Sequence, residues 1–259
     1  MSPRTPGDHA RDAGGDPDLL ARKAELRTQT WDQLETAGVT RFPGARHRIS
    51  NFVGAEAAAE RLRSTDAWRA AATVKANPDS PQWPVRQRAL EDGKTVYMAV
   101  PRLADEDPFF LLDPDHLADT PRRASSIKGA SASARTVAVD DLEPVDLVVT
   151  GCVAVTEDGL RLGKGGGFAD LEFALASEAG MIGERTLVVT TVHELQVLPA
   201  GAIPAADHDV QLDLIVTPDR VIEVPRSGRR PAGRIRWEEL TDDKIAAIPL
   251  LARLAADRT

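Results

Sequence analysis

Cysteine is almost absent from this 259-residue sequence, in which Cys152 is the only one. Tyrosine is equally rare, with a single residue. One cysteine excludes an intrachain disulfide and a cysteine-rich metal site. No long apolar run follows Met1, so we expect neither a signal peptide nor a membrane span, and we expect a cytoplasmic location. Basic residues are not in excess either, since 32 Lys and Arg face 40 Asp and Glu. The formal net charge of −8 argues against a general affinity for nucleic acid, which normally requires a basic face.

The rest of the composition is that of an ordinary globular protein, and the length suffices for one substantial core without a metal or disulfide. Prolines, glycines and charges dominate residues 1–17, which we predict to be a disordered arm. We predict a single domain over residues 18–259. Within it, the arginine-rich segment 227–236 is expected to be flexible and to precede a C-terminal helix.

Apolar runs alternate with helix-forming segments along the domain. Unbroken apolar strands separated by helices are typical of parallel sheets that are covered on both faces. We therefore predict a three-layer αβα fold with a mainly parallel sheet, in which ligands bind beyond the carboxyl ends of the strands. Helices are predicted over about 18–37, 53–72, 81–92 and 168–179, and strands begin near residues 74, 95, 146, 153, 187, 212 and 221.

A glycine-rich stretch separates a predicted strand from the helix that begins near Phe168. Glycines allow positive φ angles and close approach to a ligand, and amides at a helix N-terminus suit an anion such as phosphate. The stretch is not a Walker A loop, because no Ser or Thr follows a Gly-Lys pair, and its spacing differs from the dinucleotide fingerprint. A turn without a ligand is the alternative to a phosphate site. This stretch, called the glycine turn below, consists of Gly163, Lys164, Gly165, Gly166 and Gly167, and Arg161 precedes it.

Residues 158–170 resemble the signature of the 5-formyltetrahydrofolate cyclo-ligase family, which reads approximately R-x-G-x-G-G-G-Y-Y-D-R. Three other stretches are similar to the family in order and spacing: residues 23–27, 93–102 and 204–213. The resemblance extends over about residues 19–225. It implies a cyclo-ligase-like fold and a cyclodehydratase that uses ATP and Mg²⁺.

The family's Y-Y-D-R is Phe168-Ala169-Asp170-Leu171 here, so the aspartate remains while both tyrosines and the arginine are replaced. These changes are similar to those in a divergent branch of cyclo-ligase-like proteins. Two alternatives to a folate substrate follow. The same chemistry could act on an N-formylaminoacyl group, including one bound to a carrier protein, and yield an oxazole in natural-product biosynthesis. The chain could also be a nucleotide-binding regulatory protein without turnover.

The resemblance implies that the γ-phosphoryl group of ATP moves to a formyl oxygen before the ring closes and phosphate leaves. The protein then contributes positioning and charge neutralisation. Lys164, Arg161 and Lys75, which lies at a strand end before a proline turn, are the candidate catalytic residues. The candidate ATP-binding residues are Lys23, Arg27, Arg161, Gly163, Lys164, Gly165, Gly166, Gly167, Phe168 and Asp170.

Carboxylates are the expected Mg²⁺ ligands, because a hard cation prefers carboxylate and phosphate oxygens. Asp170 is the first candidate and Asp209 the second, although Asp170 could serve only the helix dipole and Asp209 only a turn. Trp83, which lies between two prolines, and Phe168 are candidates for substrate binding. Lys23 and Arg27 share one helical face, which without the resemblance would favour a solvated surface. We expect a small N-formyl substrate, and a monomer or homodimer.

Overall fold

Short apolar runs form the strands of two sheets in the computed structural model, which describes residues 17–205, 209–226 and 233–258. The central strands are buried along their length, as expected of a sheet that is covered on both faces. In chain order the strands are β1 (Thr73–Ala76), β2 (Thr95–Ala99), β3 (Phe109–Leu112), β4 (Arg135–Val137), β5 (Leu147–Val149), β6 (Ala154–Thr156), β7 (Arg161–Leu162), β8 (Leu187–Thr191), β9 (Val197–Leu198), β10 (Leu214–Val216) and β11 (Val221–Glu223).

The large sheet has the strand order β11-β10-β8-β5-β1-β2-β3-β4. Its five middle strands, from β10 to β2, are parallel, whereas β11, β3 and β4 are antiparallel additions at the edges. The predicted mainly parallel sheet is thus confirmed. The small sheet has the order β7-β6-β9, and it takes in the predicted strand near residue 153, which belongs to β6 and not to the large sheet.

Helices cover both faces of the large sheet, and the sheet separates two apolar cores, which confirms the three-layer αβα arrangement. One core includes residues of α2, α4 and α6, and the other includes residues of α7 and α9. The helices are α1 (Pro17–Thr36), α2 (Ala55–Arg63), α3 (Asp66–Ala70), α4 (Trp83–Glu91), α5 (Pro121–Ala124), α6 (Ile127–Ser133), α7 (Phe168–Glu178), α8 (Asp242–Ala247) and α9 (Pro249–Ala256).

Three helix boundaries differ from the prediction. The helix predicted over 53–72 is two helices, because the Thr65 hydroxyl accepts a hydrogen bond from the Trp68 N–H (3.2 Å) and caps α3 as a new start. Pro17, assigned to the arm, is the first residue of α1. The C-terminal helix is also divided, with Pro249 starting α9. Residues 1–16 of the arm and 227–232 of the arginine-rich segment lie outside the described residues.

Side chains of a strand alternate between the two cores, and this alternation places a charged residue under α7. Leu147 and Val149 of β5 face one core, whereas Val148 faces the core that contains α7. Lys75 of β1 pairs in register with Val148 and therefore lies on the same face. A lysine in the second position from the end of a central strand is thus directed towards the helix that follows the glycine turn.

Asp146 fixes the start of β1 against the start of β5. Its carboxylate accepts hydrogen bonds from the N–H groups of Ala72 (2.8 Å) and Thr73 (3.0 Å) and from the Thr73 hydroxyl (3.1 Å). Burial opposes ionisation, but these hydrogen bonds prevail and lower the pKa of Asp146 below its ordinary value.

We expect Asp146→Asn to lower the free energy of unfolding by about 1 kcal/mol at pH 7, because the carboxylate is largely solvent-exposed and its hydrogen bonds are correspondingly weakened. A depressed carboxyl pKa stabilises the fold above the unfolded-state pKa, and this stabilisation is lost as the pH falls through the folded-state pKa. Urea unfolding should therefore show a smaller difference between variant and wild type at pH 3 than at pH 7. Asp140→Asn, at an exposed position, should change little at either pH. An equal loss at both pH values would contradict this account.

Candidate functional site

The glycine turn connects β7 to α7, as the sequence predicts. Gly165 (φ +99°) and Gly167 (φ +64°) adopt left-handed backbone conformations that favour glycine. The Phe168 ring packs back over Gly166, where a Cβ atom would lie 3.1 Å from Cδ2 of the ring. Gly167 is the N-cap of the 11-residue helix α7, whose first N–H groups lack intrahelical partners. This geometry suits a bound anion.

Helix α1 contacts the turn through Arg27. The Arg27 Nε donates a hydrogen bond to the Gly163 carbonyl oxygen at 2.7 Å, and its Cζ lies 3.4 Å from the position of a Cβ at Gly165. One helical turn earlier, the Lys23 Nζ lies 3.2 Å from Asp209 Oδ2. The shared face of Lys23 and Arg27 is therefore turned towards the glycine turn and the segment that begins at residue 209, and not towards solvent.

The two cations of the motif each face a carboxylate. Arg161 forms an ion pair with Asp170, and the Lys164 Nζ lies 3.1 Å from Asp79 Oδ1. Burial opposes the charge of Arg161, but Asp170 and other neighbours prevail and raise its pKa. The Lys164 side chain is 41% exposed, whereas that of Arg161 is 9% exposed. Lys164 is therefore the cation that can exchange its carboxylate for a ligand.

The candidate Mg²⁺ ligands Asp170 and Asp209 lie on different segments and pair with Arg161 and Lys23. Within the described ranges, no group of three or more His, Cys, Asp and Glu side chains could hold a metal. These residues therefore fit a Mg²⁺ ion only if one or two carboxylates share its coordination shell with phosphate oxygens and water. Such a shell is usual for Mg²⁺ in nucleotide sites.

Lys75 and Glu172 form a buried ion pair between the sheet and α7. Their side chains are 1% and 5% exposed, and the Lys75 Nζ lies 2.6 Å from Glu172 Oε2. The Asn77 Nδ2 donates to the same oxygen at 2.6 Å, and Asn77 Oδ1 accepts the N–H of Gly151 at 3.1 Å. Burial raises the pKa of Glu172, although Lys75 opposes this shift. The pair and Asn77 tie α7 to the carboxyl ends of β1 and β5.

A cavity of about 10 Å³ lies beside this pair, lined by residues that include Lys75, Thr150, Arg161, Ala169 and Phe173. This volume is about what one water molecule requires. A substrate ring therefore has no room next to the Lys75 ammonium. Lys75, predicted as a catalytic residue, lies beneath the turn with its charge already engaged.

Arg86 of α4 orders the loop that carries Asp79. Its guanidinium, buried to 1% exposure, donates to the backbone carbonyls of Asn77, Pro78 (3.3 Å), Asp79 (3.2 Å) and Ser125 (3.0 Å). Burial lowers the pKa of Arg86 to about 9, with partial compensation by Asp79, so it remains charged at neutral pH. The partner of Lys164 is thus held by a buried cation that binds only backbone oxygens among the described residues.

Trp83, the first residue of α4, contacts α5. Its Nε1 donates to the Arg122 carbonyl oxygen at 2.9 Å, and the Arg122 guanidinium lies 4.7 Å from the ring centroid. Within the part of the chain that the structure describes, these contacts join Trp83 to α5 and not to the glycine turn. Its predicted place in a substrate pocket stays a prediction.

Several residues of this site were not predicted from the sequence. They are Asp79, Arg86, Glu172 and Lys244, whose Nζ lies 5.6 Å from the centroid of the Phe168 ring. Glu172 carried a usable signal, because it lies in the second turn of α7 within residues 171–176, which are otherwise all apolar. A charge in such a position requires a buried partner. Asp79 and Arg86 carried no comparable signal, since exposed loop acids and helix arginines are common.

A model of the 5-formyltetrahydrofolate cyclo-ligase family matches residues 19–218. The chain belongs to this family. The methenyltetrahydrofolate synthase domain-containing proteins of Bos taurus and Mus musculus are 39% and 38% identical to it over 235 residues, which is 90% of this chain. The chain spans 61% and 63% of the length of these two relatives. The resemblance predicted from the glycine turn is thus confirmed.

The NMR structure of the 5,10-methenyltetrahydrofolate synthetase of Aquifex aeolicus shares this fold, with a TM-score of 0.50 at 20% identity. The alignment covers 83% of this chain and 98% of that protein. At this level of identity the likeness concerns the fold alone, and it agrees with the predicted cyclo-ligase-like αβα architecture. In the described part of the chain, each helix is too short or too polar to cross a membrane.

We expect Lys75→Met to lower the free energy of unfolding by about 3–5 kcal/mol, because it leaves the buried Glu172 carboxylate without its cation. The loss should be larger at pH 8 than at pH 5. Burial raises the pKa of Glu172 and Lys75 opposes this shift, so the pKa rises further in the variant, and the stability of the variant falls more than that of the wild type as the pH rises above the unfolded-state pKa. Guanidinium unfolding at the two pH values measures both effects.

The double variant Lys75→Met, Glu172→Gln is the matched control. It removes both charges and keeps an amide oxygen that can accept the Asn77 hydrogen bond. We expect it to recover most of the stability and to lose the pH dependence. Equal destabilisation of the single and double variants would mean that packing, and not an unpaired charge, is responsible.

Proposed function

We propose that this protein is an ATP-dependent cyclo-ligase, a cyclodehydratase that activates an N-formyl oxygen by phosphorylation and then closes a ring. The observation that carries the proposal is the convergence of Arg27, Arg161 and Lys164 on the glycine turn at the N-terminus of α7. In a member of the cyclo-ligase family, this arrangement supports a site for the phosphates of ATP. The first substrate to test is 5-formyltetrahydrofolate.

The proposed reaction has two steps. An N-formyl carbonyl is a poor electrophile, and its oxygen is a poor leaving group. In the first step this oxygen attacks the γ-phosphorus of ATP, so that an O–P bond forms and the bond to ADP breaks. In the second step a neighbouring nucleophile of the same substrate attacks the formyl carbon. This attack closes the ring, the substrate releases a proton, and the C–O bond breaks as inorganic phosphate leaves.

The protein accelerates such a reaction mainly by positioning and by neutralising charge. The turn amides and Lys164 would bind phosphate oxygens, and the exposed Lys164–Asp79 pair is a weak interaction that a phosphate can replace at little cost. Arg161, which is less exposed, would neutralise charge from a fixed position. Lys75 and Glu172 would act as positioning residues for the turn, since the cavity beside them admits no substrate.

Mg²⁺ bound with the phosphates would neutralise part of their charge, and Asp170 and Asp209 are the carboxylates that would hold it. Each acid would then give up its present partner at least in part. The nearby cations Arg161 and Lys23 would remain beside the phosphates and contribute to their binding.

Phe168 and Ala169 replace the two tyrosines of the family signature, and this difference motivates a second N-formyl substrate. An N-formylaminoacyl thioester would undergo the same phosphorylation, with its own carbonyl oxygen as the nucleophile, and would yield an oxazole. Comparing the two formamides in one assay assigns the substrate class.

We expect the purified protein with ATP and Mg²⁺ to release ADP and phosphate in the presence of 5-formyltetrahydrofolate, in step with the absorbance of the methenyl product. Lys164→Ala should lower kcat/KM by about 10²- to 10³-fold, since it removes a charge that stabilises the transferring phosphoryl group. Coupled ADP detection measures the rate. Lys128→Ala, at an exposed position of α6, serves as the control and should leave kcat/KM unchanged.

Release of ADP only with the N-formylaminoacyl thioester would support the proposed phosphorylation and ring closure, but would contradict 5-formyltetrahydrofolate as the substrate. If the protein binds ATP but releases no phosphate with either formamide, the proposed turnover is wrong, and a nucleotide-binding regulatory role takes its place.

Gly165→Ala should weaken ATP binding by about tenfold, because φ +99° is unfavourable for alanine and relief of this strain would displace the turn amides, while the added Cβ would meet Arg27 at contact distance (3.4 Å). Gly44→Ala is a matched control, since Gly44 has nearly the same φ (+97°) and no atom within 4 Å of the added Cβ. Both variants should lose similar stability in thermal unfolding, while calorimetry should show weaker ATP binding for Gly165→Ala alone. Equal ATP affinities for the two variants would argue against a role of the turn in binding.

A further inference from the structure

Lys244 of α8 reaches the glycine turn from the C-terminal part of the chain. Its Nζ lies 2.9 Å from the position that a Cβ atom would occupy on Gly167, so the ammonium group rests against the backbone of the last turn residue. The same Nζ lies 5.6 Å from the centroid of the Phe168 ring, within cation–π range. Both distances place this cation at the N-terminus of α7.

The segment that carries Lys244 lies beyond the family match, which ends at residue 218. The short helix α8 is capped by Thr241, whose hydroxyl accepts the Lys244 N–H at 3.2 Å, and Ile248, Leu250 and Leu251 anchor the segment in the core that contains α7. The position of Lys244 is thus fixed by capping and by packing. Lys244 itself is not one of the residues that define the cyclo-ligase signature.

The charges around the turn give Lys244 a special role. Lys23, Arg161 and Lys164 each face one carboxylate, so these three pairs add no net charge. Lys244 forms no ion pair among the described residues. Its ammonium group also lies at the positive end of the α7 dipole, where a cation is disfavoured unless an anion is bound beside it. Lys244 is therefore a source of uncompensated positive charge at this place.

We propose that Lys244 is a further ligand for the phosphates of ATP, and that α8 forms one wall of the nucleotide site. This inference rests on the proposed ATP binding and adds to it a binding residue from outside the family signature. The ammonium group binds phosphate oxygens as a point charge on a flexible stem, and it can turn from the Phe168 ring towards the amides of the turn. The Phe168 ring orients the stem in the absence of the nucleotide.

Calorimetric titrations of the full chain with ATP, tripolyphosphate and adenosine test this proposal. Lys244→Ala should weaken the binding of ATP and of tripolyphosphate by about tenfold, which corresponds to one lost charge-assisted hydrogen bond, and should leave adenosine binding unchanged. The dependence of the ATP Kd on KCl concentration should become less steep. Lys244→Arg keeps the charge and should restore most of the affinity, and Lys128→Ala should behave as wild type.

Three outcomes decide against the proposal. If Lys244→Ala binds ATP as tightly as wild type, Lys244 is not a ligand, and the proposed function stands. If the variant loses affinity for ATP and adenosine alike and melts at a lower temperature without nucleotide, Lys244 only fastens α8 to Phe168. If the wild-type chain binds neither ATP nor tripolyphosphate, the proposed function fails, and this inference fails with it.

Discussion

The buried ion pair between Lys75 and Glu172 is the interaction on which the geometry of the site depends. A charge removed from water is costly unless an opposite charge and hydrogen bonds compensate for it, so the two side chains have few alternative arrangements. Lys75 belongs to a central strand of the large sheet, and Glu172 lies in the second turn of α7. Asn77 binds the same carboxylate oxygen and the N–H of Gly151, so the pair also reaches the end of β5.

Fixing α7 in this way fixes the glycine turn, because the turn ends where the helix begins. Three segments distant in sequence then meet at one place: α1 brings Arg27, the loop after β1 brings Asp79, and α8 brings Lys244. Arg86 holds the loop of Asp79, and core residues next to α8 hold the segment of Lys244, whereas Arg27 also binds the turn itself through the Gly163 carbonyl oxygen. The result is a preorganised group of charges in which the exposed pairs can rearrange and the buried pair cannot.

The sequence contained enough information to predict the sheet and the turn, but not the partners of the charged residues. Unbroken apolar runs, such as the one at residues 95–100, indicate buried strands, and glycines between a strand and a helix indicate a turn. Strands β3 and β4 were not predicted, because their antiparallel pairing is decided by contacts of β3 with β2 and of β4 with β3, and not by their own pattern. Pairings such as Lys164 with Asp79, 85 positions apart, depend on the tertiary fold.

Phe168 and Ala169, which stand in place of the two tyrosines of the family signature, affect both the interior beneath the glycine turn and the outer face of the turn. Ala169 lines the same small cavity as Lys75 and Arg161, and that cavity has space for about one water molecule. A tyrosine at position 169 could not point inward without displacing one of these buried cations. Phe168, in contrast, lies between Gly166 and the Lys244 ammonium, where its ring packs on both. The two substitutions therefore have different structural consequences, since Ala169 preserves the packing around the buried pair and Phe168 joins the turn to the C-terminal helices.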